Sequence, residues 1–245
     1  AVIAVSRKNK PVYFSAHGLA DVPNKIPMEK DSMFQMWSST KPVLGVAAMI
    51  AIEKDLFKPE DEGSKYLPKF KDIEVAVLHD PKHKDISPLV VYSEIGGETG
   101  FFTNLYWRIL SWFHNVYYIG YIPEHRLVKA DKPLTIHHLL THTAGLGTNG
   151  LGQASASWNA KLSSGKGKKE EENAFLSNVT IGSLTDLISA GPLDFQPGSR
   201  FAYSGFMGLD VVAHIIEITS GQSFDEFVQT NIFDPLDMRD THWNV

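Results

Sequence analysis

Cysteine is absent from this 245-residue sequence. Its absence excludes disulfide bonds, thiol catalysis, zinc ribbons and iron–sulfur clusters. Positive charge is also scarce, because 23 lysine and arginine residues stand against 28 aspartate and glutamate residues and give a formal net charge of −5. A mildly acidic chain is a poor match for a phosphate backbone, so we expect no nucleic-acid partner.

Long uninterrupted apolar runs are missing as well. The printed N-terminus lacks the basic segment followed by an apolar stretch that marks a secretory signal, and the sequence leaves the compartment open. The most apolar segment, residues 101–122, is interrupted by Arg108 and by polar residues on either side of it, which makes a membrane span costly. Its many aromatic residues favour a helix or hairpin packed on the main body over a lid or a membrane-surface contact through residues 101–121.

Hydrophobic patterning separates a β-rich start from a helical remainder. Residues 1–20 predict a hairpin with its turn at residues 7–10. An apolar helix is predicted from Ser38 to near Lys54, and because apolar residues surround it almost completely, we expect it to be buried. Further helices are predicted at about residues 135–142, 183–190, 206–220 and 224–230, with Gly221 as a C-terminal stop and Ser223 with Glu226 as a capping box.

The pattern S-x-x-K occurs at Ser38 and Lys41 and again at Ser163 and Lys166. Only the first copy opens an apolar helix, where positions i and i+3 share a face. At such a helix start, unpaired N–H groups and the helix dipole favour a developing oxyanion, and a desolvated lysine amine beside the hydroxyl accepts its proton. The motif alone divides evenly between this nucleophilic serine and a serine that only caps the helix.

Two further patterns suggest ligand binding but lack the context for it. Residues 145–150 match G-x-G-x-x-G, yet no strand precedes them and a polar loop follows, so a dinucleotide site is not predicted. His138 and His142 have a metal-ligand spacing without an intervening glutamate base, which favours histidines satisfied within the protein. We therefore predict no metal and no organic cofactor. Tyr203 lies in a loop before the helix at 206–220, where a tyrosine is more often a packing residue.

Four ordered segments nevertheless carry a resemblance. They are MWSSTKPV at 36–43, LLTHTAGL at 139–146, PLDFQPGSRFAYSG at 192–205 and IFDPLDMRDTHW at 232–243. Together they resemble the serine β-lactamase-like superfamily, and most of all its group of class C β-lactamases, D-alanyl-D-alanine carboxypeptidases and family VIII carboxylesterases. The resemblance implies an α+β fold, with an antiparallel sheet flanked by helices and an all-helical subdomain. It also implies that Ser38 is the nucleophile, Lys41 the lysine of S-x-x-K and Tyr203 the tyrosine of Y-x-N.

The sequence departs from the family pattern at two places. Gly205 stands where the pattern has asparagine, so a side-chain amide that could bind a substrate amide is missing. No K-T-G or H-T-G triplet follows Tyr203, and the C-terminal sheet strands that carry it in the family are not found before Val245. An unpaired hairpin edge favours a fragment over a degenerate relative. We therefore expect residues 1–245 to form a single incomplete domain that is inactive and poorly stable alone.

Within that domain the sequence predicts parts with distinct roles. Residues 1–36 form the N-terminal hairpin of the sheet, and residues 37–245 contain the nucleophile helix and the helical subdomain. An aromatic insertion at about 95–125 and a polar loop at about 152–175 interrupt the helical part.

The function predicted from these residues is serine acyl hydrolysis through a covalent acyl-enzyme. Lys41 and Tyr203 share proton transfer, and which of them is the base stays open. The substrate is a small molecule, with carboxylic esters ranked first, β-lactams second and D-Ala-D-Ala peptides third. The alternative is a non-catalytic binding or scaffold protein of the same fold. The sequence does not give the oligomeric state.

Overall fold

The computed structural model describes residues 1–78, 89–91, 116–118, 125–146, 180–205 and 207–243. The chain divides into two compact units, Ala1–Thr40 and Lys41–Val245. Its strands are β1 Val2–Arg7, β2 Lys10–Ala16, β3 Leu19–Asp21, β4 Ile26–Pro27, β5 Glu74–Leu78, β6 Leu89–Val91, β7 Val116–Tyr118 and β8 His125–Lys129. Its α-helices are α1 Thr40–Glu53, α2 Ile136–Leu140, α3 Ile181–Ser189, α4 Gly208–Ser220 and α5 Phe224–Val228.

The first unit is built from two antiparallel strand pairs, β1 with β2 and β3 with β4. Lys8 and Asn9 join β1 to β2 and have φ values of 50° and 59°. Positive φ at both central residues is the geometry of the two-residue type I′ turn, whose twist matches that of the strands. The predicted hairpin and its turn are therefore confirmed.

Apolar side chains of the first unit are largely exposed, and no residue of 1–40 is buried. Val12 is 60% exposed, Phe14 48% and Trp37 73%. An isolated two-stranded hairpin buries little surface, so this unit gains little free energy from apolar burial within its own strands.

The second unit has a helical core centred on α4, which packs against α2, α3 and α5. Val211, Val212, Ile215 and Ile216 of α4 are fully buried, and burial of each such side chain contributes about 1.5–3 kcal/mol. The predicted helices are confirmed within a few residues. At the end of α4, Gly221 has a φ of 71°, and Ser223 and Glu226 form the predicted capping box of α5.

One expectation for α1 is wrong, because the helix is buried on one face only. Leu44, Ala48 and Ala51 lie in the core, whereas Val46 is 49% exposed and Met49 51% exposed. The described α1 residues that belong to the core or pack against it share one side of the helix, and Val46 and Met49 lie on the other side. Apolar composition on all faces therefore overstated the burial of α1.

A strand pair that the sequence did not predict lies beside the helical core. β5 pairs antiparallel with β8, from Glu74 opposite Lys129 to Leu78 opposite His125. On its other side β5 binds the loop that leads to Tyr203, since the Leu193 N–H donates to the Glu74 carbonyl at 2.7 Å and the Ala76 N–H donates to the Leu193 carbonyl at 2.8 Å. β5 thus anchors the start of that loop.

Two predicted segments lie wholly or largely outside the described residues. The polar loop at about 152–175 is entirely outside them, and the aromatic insertion at about 95–125 is represented by β7 and by His125. In the described ranges, no helix combines the length and apolarity that a bilayer crossing demands.

Candidate active site

Ser38 lies in a single 3-10 turn, Trp37–Ser39, that immediately precedes α1. The α-helix begins at Thr40, two residues later than the sequence predicts. Trp37 has a φ of 45°, an unfavourable backbone conformation for a bulky side chain, and strain of this kind costs on the order of 1–3 kcal/mol. Ser38 itself is exposed. The predicted nucleophile therefore follows a strained residue and leads into a helix.

Lys41, in the first turn of α1, contacts the segment around Tyr203. Its Nζ donates a hydrogen bond to the Gly205 carbonyl oxygen at 2.7 Å. The same Nζ lies 5.2 Å from the centroid of the Tyr203 ring, within cation–π distance. The structure thus brings together the lysine of S-x-x-K and the Y-S-G segment, which are 164 positions apart.

The loop before Tyr203 is held by Arg200. The Arg200 guanidinium lies 4.5 Å from the centroid of the Phe195 ring, and its Nη2 donates to the Asp194 carbonyl oxygen at 3.4 Å. Burial lowers the pKa of Arg200, and the nearby Asp194 carboxylate opposes that shift. The side chain thus packs along the loop and stabilises its path.

Ser204 connects Tyr203 to α4. It is 3% exposed, and its Oγ accepts hydrogen bonds from the Gly208 N–H at 2.8 Å and the Met207 N–H at 3.3 Å. These donors belong to the start of α4, whose first N–H groups have no partner within the helix. Ser204 therefore supplies the N-terminal cap of α4, and Tyr203 is fixed directly before it.

His142 lies against Tyr203 just after α2. The two ring centroids are 4.9 Å apart, and the Ser204 N–H donates to His142 Nδ1 at 3.1 Å. Burial lowers the pKa of His142, and the positive charge of Lys41 lowers it further. The sequence indicated only a histidine satisfied within the protein, and this contact with the Tyr203 loop was missed.

His138 has a partner of its own. The Nδ1 of His138 accepts the Thr135 N–H at 3.2 Å, and the backbone N–H of His138 donates to Thr135 Oγ1 at 3.3 Å. These two hydrogen bonds cap α2. The two histidines with metal-ligand spacing therefore each bind a backbone amide. Within the described ranges, no group of three ligating side chains could hold a metal ion.

Asp210, in the first turn of α4, is a second residue that the sequence did not single out. Burial raises its pKa to about 6, and the positive charge of Lys41 opposes part of that shift. The side chain lines a cavity of about 250 Å³ together with Leu44, Glu217, Phe224 and Trp243. An acidic residue between the apolar residues of an amphipathic helix is the only sequence signal for it.

Comparison with known proteins identifies the family. A family model described as Beta-lactamase matches residues 1–85 and 108–245. The chain belongs to the beta-lactamase family. This beta-lactamase-family chain is 26% identical to Esterase EstB of Burkholderia gladioli, and the alignment covers 98% of this chain. Lovastatin esterase of Penicillium rubens is 30% identical over 112 residues, which cover 46% of this chain and 25% of that enzyme.

The solved structure of EstCE1, a hydrolase with promiscuous acyltransferase activity, has the same fold. Its TM-score is 0.60 at 22% identity, over 96% of this chain and 46% of that chain. The predicted family and the predicted α+β fold class are confirmed. The aligned part covers 46% of EstB, so this beta-lactamase-family chain spans about half the length of that relative. The catalytic roles of Ser38, Lys41 and Tyr203 stay predictions.

Proposed function

We propose that this beta-lactamase-family chain carries the nucleophile and the proton-transfer pair of a serine acyl hydrolase that acts on carboxylic esters. The observation that supports this most is the Lys41 contact with both the Tyr203 ring and the Gly205 carbonyl. It brings a lysine one helical turn beyond Ser38 together with a phenol from a distant loop. An activated serine requires an adjacent general base, and a lysine amine or a phenolate can act as one.

The reaction has two stages. Ser38 Oγ attacks the acyl carbonyl carbon, the ester C–O bond breaks, and the alcohol leaves with a proton. Lys41 or Tyr203 accepts the Ser38 proton and passes it to that alcohol. Water then attacks the acyl-enzyme, and the carboxylic acid is released as Ser38 regains its hydrogen.

Two observations favour esters over β-lactams. Gly205 offers no side-chain amide to bind a substrate amide, and an ester lacks the N–H that such a group would recognise. EstB and lovastatin esterase, which resemble this chain in sequence, are both named as esterases.

Probe labelling and substrate comparison test the proposal in the full-length protein that contains residues 1–245. We expect a fluorophosphonate probe to label the wild type and a Ser163→Ala variant, and not a Ser38→Ala variant. Ser163→Ala is the matched control because it alters the second S-x-x-K. A nitrophenyl acyl ester should be hydrolysed faster than a chromogenic cephalosporin.

Each result has a defined meaning. A wild type that resists labelling would support the non-catalytic alternative and overturn the proposal. Labelling with faster turnover of the cephalosporin would keep the serine acyl transfer and overturn the preference for esters.

A further inference from the structure

We propose that His142 is a positioning residue that fixes Tyr203 for proton transfer, and that it does so only while its imidazole is neutral. This role rests on the proposed function. Three contacts support this role. Each joins His142, two residues after the end of α2, to Tyr203 or to a residue next to it in sequence.

The contacts bracket Tyr203 on both sides along the chain. Before it, the Ala202 N–H donates to the His142 carbonyl oxygen at 2.9 Å. After it, the Ser204 N–H donates to His142 Nδ1 at 3.1 Å. Between them, the imidazole and phenol rings pack at a centroid distance of 4.9 Å. One residue therefore holds the backbone on either side of the phenol and the phenol ring itself.

The bond to Ser204 defines the protonation state that the site requires. Nδ1 accepts an N–H, so the hydrogen of the neutral ring lies on Nε2. An imidazolium carries hydrogens on both nitrogens and has no acceptor left. Protonation would place two donors against each other, and the Ser204 bond would be lost.

The surroundings of His142 oppose that protonation. Among the described residues, the charged and titratable groups that face it are Lys41 from α1 and Tyr203 from the loop, and Phe201 lies edge-on at 5.9 Å. Burial and the Lys41 charge lower its pKa from 6.5. The neutral, accepting form is therefore favoured at pH 7, and it is lost as the pH falls through the lowered pKa.

The backbone of His142 determines which substitutions test this role. Its φ is 56°, a left-handed conformation that glycine and asparagine adopt more readily than other residues. His142→Asn places an amide oxygen near the position of Nδ1, and this oxygen accepts a hydrogen bond but does not titrate. His142→Gly suits the backbone equally well and removes the acceptor. Both variants lack the imidazole that packs on Tyr203, so a comparison of the two isolates the hydrogen-bond acceptor for Ser204.

The first measurement is ester hydrolysis by the full-length protein between pH 5 and 9. We expect His142→Gly to lower kcat by about 10- to 100-fold, the cost of a misplaced catalytic group, with a much smaller change in KM. His142→Asn keeps an acceptor for Ser204 but lacks the imidazole that packs on Tyr203, so it should retain more of the wild-type kcat than His142→Gly does and should shift the acid limb of the pH profile. A glycine variant with the wild-type kcat, or an asparagine variant with an unshifted acid limb, would overturn the proposal.

The second measurement does not depend on activity. In NMR spectra of isotope-labelled protein, the Ser204 amide shift should follow the titration of the His142 ring, with Nδ1 unprotonated at neutral pH. A Ser204 amide chemical shift that stays constant while the His142 ring titrates would overturn the role of His142. A wild type that never acylates would instead refute the proposed function, and the amide titration would still decide whether His142 holds the loop.

Discussion

Position 205 is the residue at which we expect ester and amide substrates to be distinguished. Gly205 contributes its carbonyl oxygen to Lys41 and no side chain to the site. Gly205→Asn restores the amide of the family pattern, and one added hydrogen bond to a substrate amide is worth about 1 kcal/mol. We expect the ratio of cephalosporin to ester turnover to rise by about fivefold to tenfold. Steady-state kinetics with both substrates measures this ratio, and Gly205→Ala is the control. An equal rise in the alanine variant would contradict the amide explanation.

Asp210 gives the protein a pH-dependent cost of folding. Its pKa is about 6 in the folded protein, above the ordinary value of about 3.9. The folded state then binds more protons than the unfolded state between these values, so stability falls as pH rises from about 4 to 6. Asp210→Asn should raise the free energy of unfolding by about 1–3 kcal/mol at pH 7.5 and change it little at pH 4.

Urea denaturation at the two pH values measures that difference. Asp225 provides the matched control because the Ser223 hydroxyl lowers the pKa of its carboxyl group. Asp225→Asn should therefore destabilise the protein at pH 7.5, with the opposite sign. Equal effects of Asp210→Asn at both pH values would show that charge burial is not the cause.

Among the individual site residues, the sequence predicted those that local motifs mark and missed those that depend on tertiary contacts. Ser38 and Lys41 share one motif, and Tyr203 became notable only through four segments in order. The Lys41 Nζ lies 5.2 Å from the centroid of the Tyr203 ring, and the catalytic roles of these residues stay predictions. The contacts of His142 join positions about 60 residues apart, and no local pattern reports such a distance.

The start of α4 joins helix stability to the position of Tyr203. Ser204 Oγ accepts two N–H groups of this helix start. Ser204→Ala leaves them without that acceptor, and loss of a cap costs about 1–2 kcal/mol. Denaturant unfolding should show this loss, together with a reduced kcat for the ester. Ser189→Ala removes only a hydroxyl that donates to a carbonyl within α3 and should leave both values nearly unchanged. A Ser204→Ala variant as stable as the wild type would refute the capping role.

Elements with local signals were predictable, and elements made by distant pairing were not. The caps of α2, α3 and α5 are all capping boxes, and the box of α5 was predicted from Ser223 and Glu226. β5 and β8 pair across about 50 intervening residues. The sequence of β8, HRLVK, lacks the sustained alternation that marks a half-buried strand. Tertiary pairing created these strands where local pattern was weak.

For the whole molecule, exposed apolar residues of the first unit predict the behaviour of residues 1–245 alone. Apolar side chains near half exposed or more run along β1 and β2, and such surfaces promote association. We expect this polypeptide to bind the dye ANS, to form oligomers on size exclusion, and to resist fluorophosphonate labelling. Replacing Val12 and Phe14 by threonine should reduce dye binding. A monomer that hydrolyses an ester through Ser38 would contradict this expectation.

The hydrogen bond between Lys41 and Gly205 also determines how early during synthesis the proposed catalytic residues can come together. It closes a loop of 164 positions, and contacts of such long range form only after much of the chain has collapsed. A growing polypeptide on the ribosome therefore contains Ser38 and Lys41 long before it contains their tyrosine. Until synthesis passes Gly205, Ser38 and Lys41 lack the tyrosine that the proposed proton transfer assigns to them.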